Sequence, residues 1–314
     1  MKTFKAEDLE KLLNMKKLIE VMKDALFDLD RHNIIVPDRH HILSSLHDST
    51  YLFMPVYSEK LDKVGFKYVA VCNENSNRGL PVINGVVFLA DGKTGIVEAM
   101  FEGAKLTALR TGAVGGAAID ILASDDAKVL SVFGTGAQAE TQIRAAISVR
   151  KIEKIYLYYR NKDKANRFVS IIKQYFSGDI ILTDNLRLLE ESDIIIAATN
   201  SKHPLFESGK LNLKEHVHIN AIGSFKPDMQ EIDSNLYLIC SVFADNKEGC
   251  IKESGDIILA LRNGRIKEDE IINLGAVINS NKDFKNKRTI FKSVGNAGFD
   301  LYSAYIFYKK ETVA

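Results

Sequence analysis

A chain of 314 residues, 46% of them apolar, has material for about two packed domains. Its 42 Lys and Arg against 41 Asp and Glu are mixed along the sequence, which excludes the basic stripe of a nucleic-acid surface and the block charge of a solvating tail. The three cysteines, Cys72, Cys240 and Cys250, form no CxxC pair, so a disulfide framework and a structural zinc site are not expected and the thiols are read as reduced.

The N-terminal stretch MKTFKAEDLEKLLNMKKLIEVMKDALFDL places apolar residues at helical spacing and interrupts them with charge, which predicts two amphipathic helices and no secretory leader. Nowhere is there a run of roughly 20 apolar residues able to span a membrane, and the expected location is the cytoplasm. A strand-rich stretch follows. GFKYVAVCNEN reads as extended, and GVVFLADGKTGIVEAMF reads as two strands joined by a hairpin at Asp91-Gly92. To about residue 115 this is an α+β module. From about residue 127 the texture changes to short apolar strands alternating with charged helices: KVLSVF, KIYLYY, DIIL, DIIIAAT, HVHINAIG and LICSVFADN. Such alternation predicts an α/β fold with a Rossmann-type doubly wound parallel sheet.

Within that second part, KVLSVFGTGAQAETQIRAAI runs strand, glycine turn, helix. Gly134, Gly136 and Ala139 make the pattern G-x-G-x-x-A of a dinucleotide fingerprint: a tight turn, a backbone open to a pyrophosphate, and a small residue that lets helix pack on strand. Thr135, Ala137 and Gln138 complete the loop and open the helix, whose free N–H groups suit phosphate. After the next strand come Arg160, Asn161 and Lys162 instead of the carboxylate that would hold a ribose diol, so NADP is favoured and NAD is the alternative. Thr199 and Asn200 follow the fourth strand, where such sheets place ligands.

Three cations of the first module stand out: Arg39 in VPDRHHI, Lys67 among apolar strand residues, and Arg110 ahead of the small-residue run TGAVGG. Taken singly each could snorkel to solvent. His40, His41 and His47 lack metal-ligand spacing and are read as loop histidines, with no metal site expected. His216 and His218 are read as satisfied core positions on one strand, Asn75 and Arg78 as loop caps. Asp300 opens the last helix in NAGFDLYSA and is read there as a cap.

The strings YLFMPVY, GFKYV, GLPVINGVVFLADGKTGIVEAM, LTALRTGA, FGTGAQA, INAIGSFKPDMQEID and GNAGFDLYSA, in this order over nearly the whole chain, resemble the motifs of the ornithine cyclodeaminase/mu-crystallin family. The resemblance implies a substrate-binding and dimerisation domain of residues 1–115 plus 292–314, a dinucleotide-binding domain of residues 116–291, and a homodimer. It implies that Arg110 and Lys67 hold the substrate carboxylate, that Arg39 is a further carboxylate-binding arginine, that Lys67 also moves a proton, and that Asp300 stands near the active site instead of serving only as a cap. Two positions depart from the cyclodeaminase pattern. Leu52 and Phe225 stand where those enzymes carry carboxylates, and Asp228 and Glu231 lie near the second position without matching it. The expectation is therefore an oxidoreductase that passes hydride between a nicotinamide and the C=N or CH–NH carbon of a small imino or amino acid, a ketimine reductase such as pyrroline-2-carboxylate reductase. An amino-acid dehydrogenase such as alanine dehydrogenase, and an ornithine cyclodeaminase, are the alternatives.

Overall fold

The computed structural model describes residues 1–313 and divides into two compact units, Met1–Arg110 with Asn296–Ala314, and Thr111–Gly295. In the first unit the chain runs β1 (Lys2–Phe4), α1 (Ala6–Leu12), α2 (Met15–Asp30), β2 (Ile34–Ile35), β3 (His40–Ser44), β4 (Ser49–Ser58), β5 (Lys63–Cys72), β6 (Ile83–Asp91) and β7 (Val97–Glu102). Helix α3 (Gly103–Leu122) then crosses the unit boundary, and α8 (Ala297–Val313) returns to the first unit at the end of the chain. The strands form one sheet in the order β1-β7-β6-β5-β4-β2, with β3 paired to β4.

Alternation along β4 and β5 gives this sheet two different faces. Met54, Val56 and Ser58 share one face with Gly65 and Lys67, and α8 packs on it. Gly65 permits that close approach: a Cβ there would lie 2.7 Å from Val56 Cγ1 and 3.1 Å from Leu301 Cδ1. Helix α2 contributes Met15, Leu18, Ile19, Met22, Ala25 and Leu26, an apolar stripe at helical spacing, and is capped by Asn14, whose side chain accepts from the Lys17 N–H at 3.0 Å. On the other face Tyr51, Phe53, Phe66, Tyr68 and Phe88 lie ring to ring.

Two readings of this region need correction. The hairpin expected at Asp91-Gly92 joins β6 and β7, but its loop runs on to Ile96 instead of closing at that pair. The left-handed residue is Gly95 (φ +71°), Asp91 accepts from the Thr94 N–H and hydroxyl at 3.0 and 2.8 Å, and Gly92 is small because a Cβ would lie 2.7 Å from Asp62 backbone. His40 and His41 sit on strand β3, exposed, instead of in a loop. Asn75 does serve a loop, donating to Pro81 O at 2.9 Å, while Arg78 pairs with Glu74 on the surface.

The second unit contains β8 (Val129–Phe133), α4 (Ala137–Val149), β9 (Lys154–Tyr158), α5 (Lys162–Ile172), β10 (Asp179–Thr183), β11 (Ile194–Ala197), β12 (His218–Ala221), β13 (Ser241–Ala244), α6 (Lys247–Glu253), α7 (Gly255–Arg262), β14 (Ile271–Asn273) and β15 (Thr289–Lys292). All pairings are parallel, in the order β10-β9-β8-β11-β12-β15-β13-β14. The six anticipated strands are all present, and β14 and β15 are additional. Strand order reverses between β8 and β11, which opens a ligand crevice at their carboxyl ends. Apolar clusters cover both faces, one including Ile143, Phe168 and Ile172, the other including Phe206, Leu236 and Ile257. Cys250 is fully buried, and no cysteine is paired. Among the described residues no helix is long and apolar enough to cross a membrane.

Candidate active site

In the first unit three of the candidate residues meet. Lys67, in the middle of β5, donates from Nζ to Asp300 Oδ2 at 2.6 Å, and Arg110 on α3 donates from Nε to Asp300 Oδ1 at 3.0 Å. All three are buried, at 4%, 1% and 4% exposure for Lys67, Asp300 and Arg110. Asp300 sits in the first turn of α8 and spends both oxygens on the two cations, so it is a bridge and not a helix cap. Burial pushes the Lys67 ammonium down to about 8, with the Arg110 and Arg39 charges adding to the fall and Asp300 opposing it. For Asp300, burial favours the neutral acid, but Arg110 and Lys67 outweigh it and hold the carboxyl below its ordinary range. The cluster therefore carries two cations on one carboxylate near neutral pH. Arg110 uses only Nε for Asp300, and its two terminal nitrogens make no hydrogen bond to the described residues. A planar fork anchored at one corner and open at the other two is suited to a carboxylate.

Arg39 is half-buried just before β3, close enough for its charge to act on Lys67. Leu52 stands opposite Val69, on the same face of the sheet as the Met54–Lys67 pair. The neighbour of Lys67 along that face is thus apolar. Phe225 is exposed after β12, and Asp228 forms a surface pair with Lys202 at 2.8 Å.

In the second unit the fingerprint loop has the required stereochemistry. Gly134 adopts φ +116°, and a Cβ there would fall 2.5 Å from Ala198 O. Gly136 caps α4 with nothing within 4 Å of the position its Cβ would take, so the space above the helix N-terminus is open. Ala139 is fully buried where helix meets strand. Among the described residues no side chain caps α4 at Gly136 and none partners the buried Gln138 Oε1. Free N–H groups, an open cradle and the dipole end of a 13-residue helix together suit a pyrophosphate. Thr135 and Ala137 line the same turn.

Arg160 and Lys162 are exposed beyond the end of β9, whereas the Asn161 side chain is occupied as the cap of α5, accepting from the Lys164 N–H at 2.9 Å. Thr199 and the exposed Asn200 follow β11 at the crevice. The Thr199 N–H and hydroxyl both donate to Glu231 Oε1, at 2.6 and 2.7 Å. His216 precedes β12 instead of sharing a strand with His218, its ring 3.5 Å from Asp193. His218 is fully buried and satisfied on both sides, 2.8 Å from Thr289 Oγ1 and 2.8 Å from Asn220 Oδ1. Burial pushes it down to about 4, so it is neutral. Among the described residues no three His, Cys, Asp or Glu side chains are grouped to hold a metal ion.

Sequence reasoning left Glu231 without a role and gave none to Gln142 and Asn220. Gln142 donates to Thr111 O at 2.9 Å and accepts from Asn220 at 3.1 Å, and Asn220 also donates to Gly115 O at 3.0 Å. For Asn220 the available signal was polarity inside the otherwise apolar strand HINA, whereas Gln142 is one of several polar residues in AETQIRAA and carried no signal of its own.

The profile of the Ornithine cyclodeaminase/mu-crystallin family matches residues 2–312. The chain is similar to a Delta(1)-pyrroline-2-carboxylate reductase of Bacillus cereus, 36% identical over 316 residues that cover 99% of this chain and 96% of that one. Among solved structures it resembles the Thermococcus litoralis Delta(1)-pyrroline-2-carboxylate reductase in complex with NADH and L-proline, with a TM-score of 0.91, 35% identity and coverage of 100% and 98%. It also resembles an archaeal alanine dehydrogenase dimer with bound NAD, with a TM-score of 0.88, 26% identity and coverage of 100% and 96%.

Proposed function

Because the chain belongs to the ornithine cyclodeaminase/mu-crystallin family, we propose that it is a nicotinamide-dependent oxidoreductase that reduces the carbon–nitrogen double bond of a cyclic ketimino acid such as pyrroline-2-carboxylate. The observation that carries this reading is the buried Lys67–Asp300–Arg110 cluster with the outer nitrogens of Arg110 open. The first unit then holds the imino acid and the second the dinucleotide.

The open fork of Arg110 takes the substrate carboxylate bidentately, with Arg39 adding positive charge. Asp300 holds Nε and so fixes the plane of that fork. Lys67, protonated below about pH 8, gives a proton to the imine nitrogen as the carbon–nitrogen double bond becomes single. The neutral amine left on Lys67 is stabilised by its burial and by the two arginine charges. When bound, the reduced dinucleotide supplies the hydride to the α-carbon. Leu52 and Phe225 accord with this chemistry, since reducing an imine needs neither a carboxylate to seat a side-chain amine nor one to deprotonate an α-amine.

Gly134, Thr135, Gly136, Ala137 and Gln138 hold the pyrophosphate in this reading, with Thr199 and Asn200 toward the nicotinamide. Arg160 and Lys162 favour NADP, because an exposed guanidinium at the end of β9 can pair with a 2′-phosphate where a carboxylate would repel it. Arg160→Ala is expected to weaken NADPH by about tenfold and to leave NADH unchanged, the loss of one charged hydrogen bond. Equal wild-type affinities for the two nucleotides, measured by nicotinamide fluorescence, would assign the enzyme to NAD instead. The protein works as a cytoplasmic homodimer in this account. The direct test is NADPH consumption with pyrroline-2-carboxylate, run beside ornithine with NAD and an ammonia assay. Imine-dependent oxidation of NADPH is expected, and proline plus ammonia from ornithine alone would identify a cyclodeaminase.

A further inference from the structure

The carboxylate of Glu231 lies inside the second unit with zero exposure, next to the crevice, and the reaction proposed above makes no use of it. Its Oε1 accepts from the Thr199 N–H at 2.6 Å and the Thr199 hydroxyl at 2.7 Å, and its Oε2 accepts from the Ser224 N–H at 2.8 Å. Thr199 Oγ1 in turn accepts from the Ser201 N–H at 3.2 Å, which leaves its hydroxyl a single orientation. One side chain thereby ties the loop after β11 to the loop after β12. The two loops touch at Gly223, where a Cβ would fall 2.0 Å from Thr199 O and 2.5 Å from Glu231 Oε1.

Glu231 is itself immobilised from behind. Asp256 Oδ1, at the start of α7, accepts from the N–H groups of Glu231 and Ile232 at 2.8 and 3.0 Å. Asp256 Oδ2 accepts from Lys292 Nζ at 3.1 Å, at the carboxyl end of β15, and both of these charged side chains have zero exposure. A buried lysine on an interior strand therefore anchors an aspartate, the aspartate anchors the backbone at Glu231, and the glutamate anchors the two loops at the carboxyl ends of β11 and β12. Lys292 and Asp256 pair their charges, and every oxygen of Asp256 and Glu231 accepts a hydrogen bond, so the buried polar network fixes one geometry.

We infer that Glu231 is a positioning residue for the nicotinamide half of the dinucleotide: it fixes the loops after β11 and β12 beside the crevice, on the opposite side of β8 from the adenosine-side residues after β9. The inference rests on the dinucleotide reading of this unit. Three N–H or O–H donors face the carboxylate, so Glu231→Gln presents an NH2 to at least one of them and releases one loop at unchanged side-chain volume. Thr199→Val removes the hydroxyl bridge without changing the size of the residue.

The test compares each reduced dinucleotide with its own adenosine half: NADPH by fluorescence against 2′-phospho-ADP-ribose by calorimetry, and NADH against ADP-ribose. In Glu231→Gln the dinucleotide is expected to weaken by about tenfold, the loss of one hydrogen bond to a charged group, while the nicotinamide-free half binds as in wild type. kcat should fall with the KM for the imino acid unchanged. Thr199→Val should show the same split and Thr199→Ser should restore wild-type binding, so the question remains answerable if Glu231→Gln fails to fold. Equal weakening of both ligands, or of neither, would overturn the inference. Wild-type protein that binds neither ligand would overturn the dinucleotide reading beneath it.

Discussion

The proton-donor role proposed for Lys67 follows from its position. This lysine stands on the helix-covered face of β5, where burial lowers its proton affinity and Asp300 keeps part of it. Lys67→Met is expected to lower kcat by about two powers of ten, the scale of lost general-acid help. Arg110→Ala should instead raise KM sharply and lower kcat as well, because the substrate loses its orientation. Neither change should alter dinucleotide affinity, since both residues belong to the first unit. The pH dependence has a definite sign. In the proposed reaction imine reduction needs the protonated lysine, so its rate should fall as pH rises through about 8, and the reverse oxidation of the amine should rise over the same range. Asp300→Asn removes the one charge that raises the Lys67 value and leaves both arginines lowering it. The alkaline limb should then move to lower pH, and a limb that stays in place would show that another group sets it. Lys67 and Arg110 were legible as cations embedded in apolar or small-residue runs. Asp300 stayed between a cap and an active-site residue, because it lies 233 positions from Lys67 and its first-turn place on a helix looks the same as a cap.

At the scale of elements, the strands of the second unit were readable wherever they were pure apolar runs, as in VLSVF and DIIIAAT. Strand β15 escaped because TIFK ends in a lysine and follows the charged NKDFKNKR, features that signal surface until Asp256 is seen to neutralise Lys292. The hairpin of β3 and β4 escaped for a related reason: β3 is exposed along most of its length and shows no alternation of apolar and polar residues. The small-residue run after Arg110 did carry its meaning. Helix α3 is buried from Ala108 to Ile119, and Gly112 and Gly115 face Thr141 and Gln142 of α4. A Cβ on Gly115 would lie 2.1 Å from Gln142 Oε1, and Gln142 cannot swing aside without losing Thr111 and Asn220. Gly115→Ala should therefore destabilise the protein by about 1–3 kcal/mol in denaturant titration, the range for overpacking a tight core. An unchanged midpoint would mean that the α3–α4 contact is looser than its geometry.

For the whole molecule, the face of the first sheet opposite the helices is an aromatic surface of Tyr51, Phe53, Phe66, Tyr68 and Phe88. The sequence offers the first unit too few helices to cover both sides of its sheet, and a second copy of the chain is the proposed cover. Light scattering should give about twice the 35.1 kDa chain mass, and Phe66→Asp should return the protein to monomer. A wild-type monomer at high concentration would contradict this assignment.

The central claim is that hydride reaches the α-carbon of an imino acid held by Arg110 and protonated by Lys67. It is tested most directly with NADPH or NADH carrying deuterium at both C4 positions of the nicotinamide and pyrroline-2-carboxylate as acceptor, reading the product by mass spectrometry and proton NMR. The expected result is proline with one deuterium on its α-carbon, formed by wild type and largely lost in Lys67→Met. Unlabelled proline, or labelled nucleotide left unconsumed while ornithine yields ammonia, would contradict it.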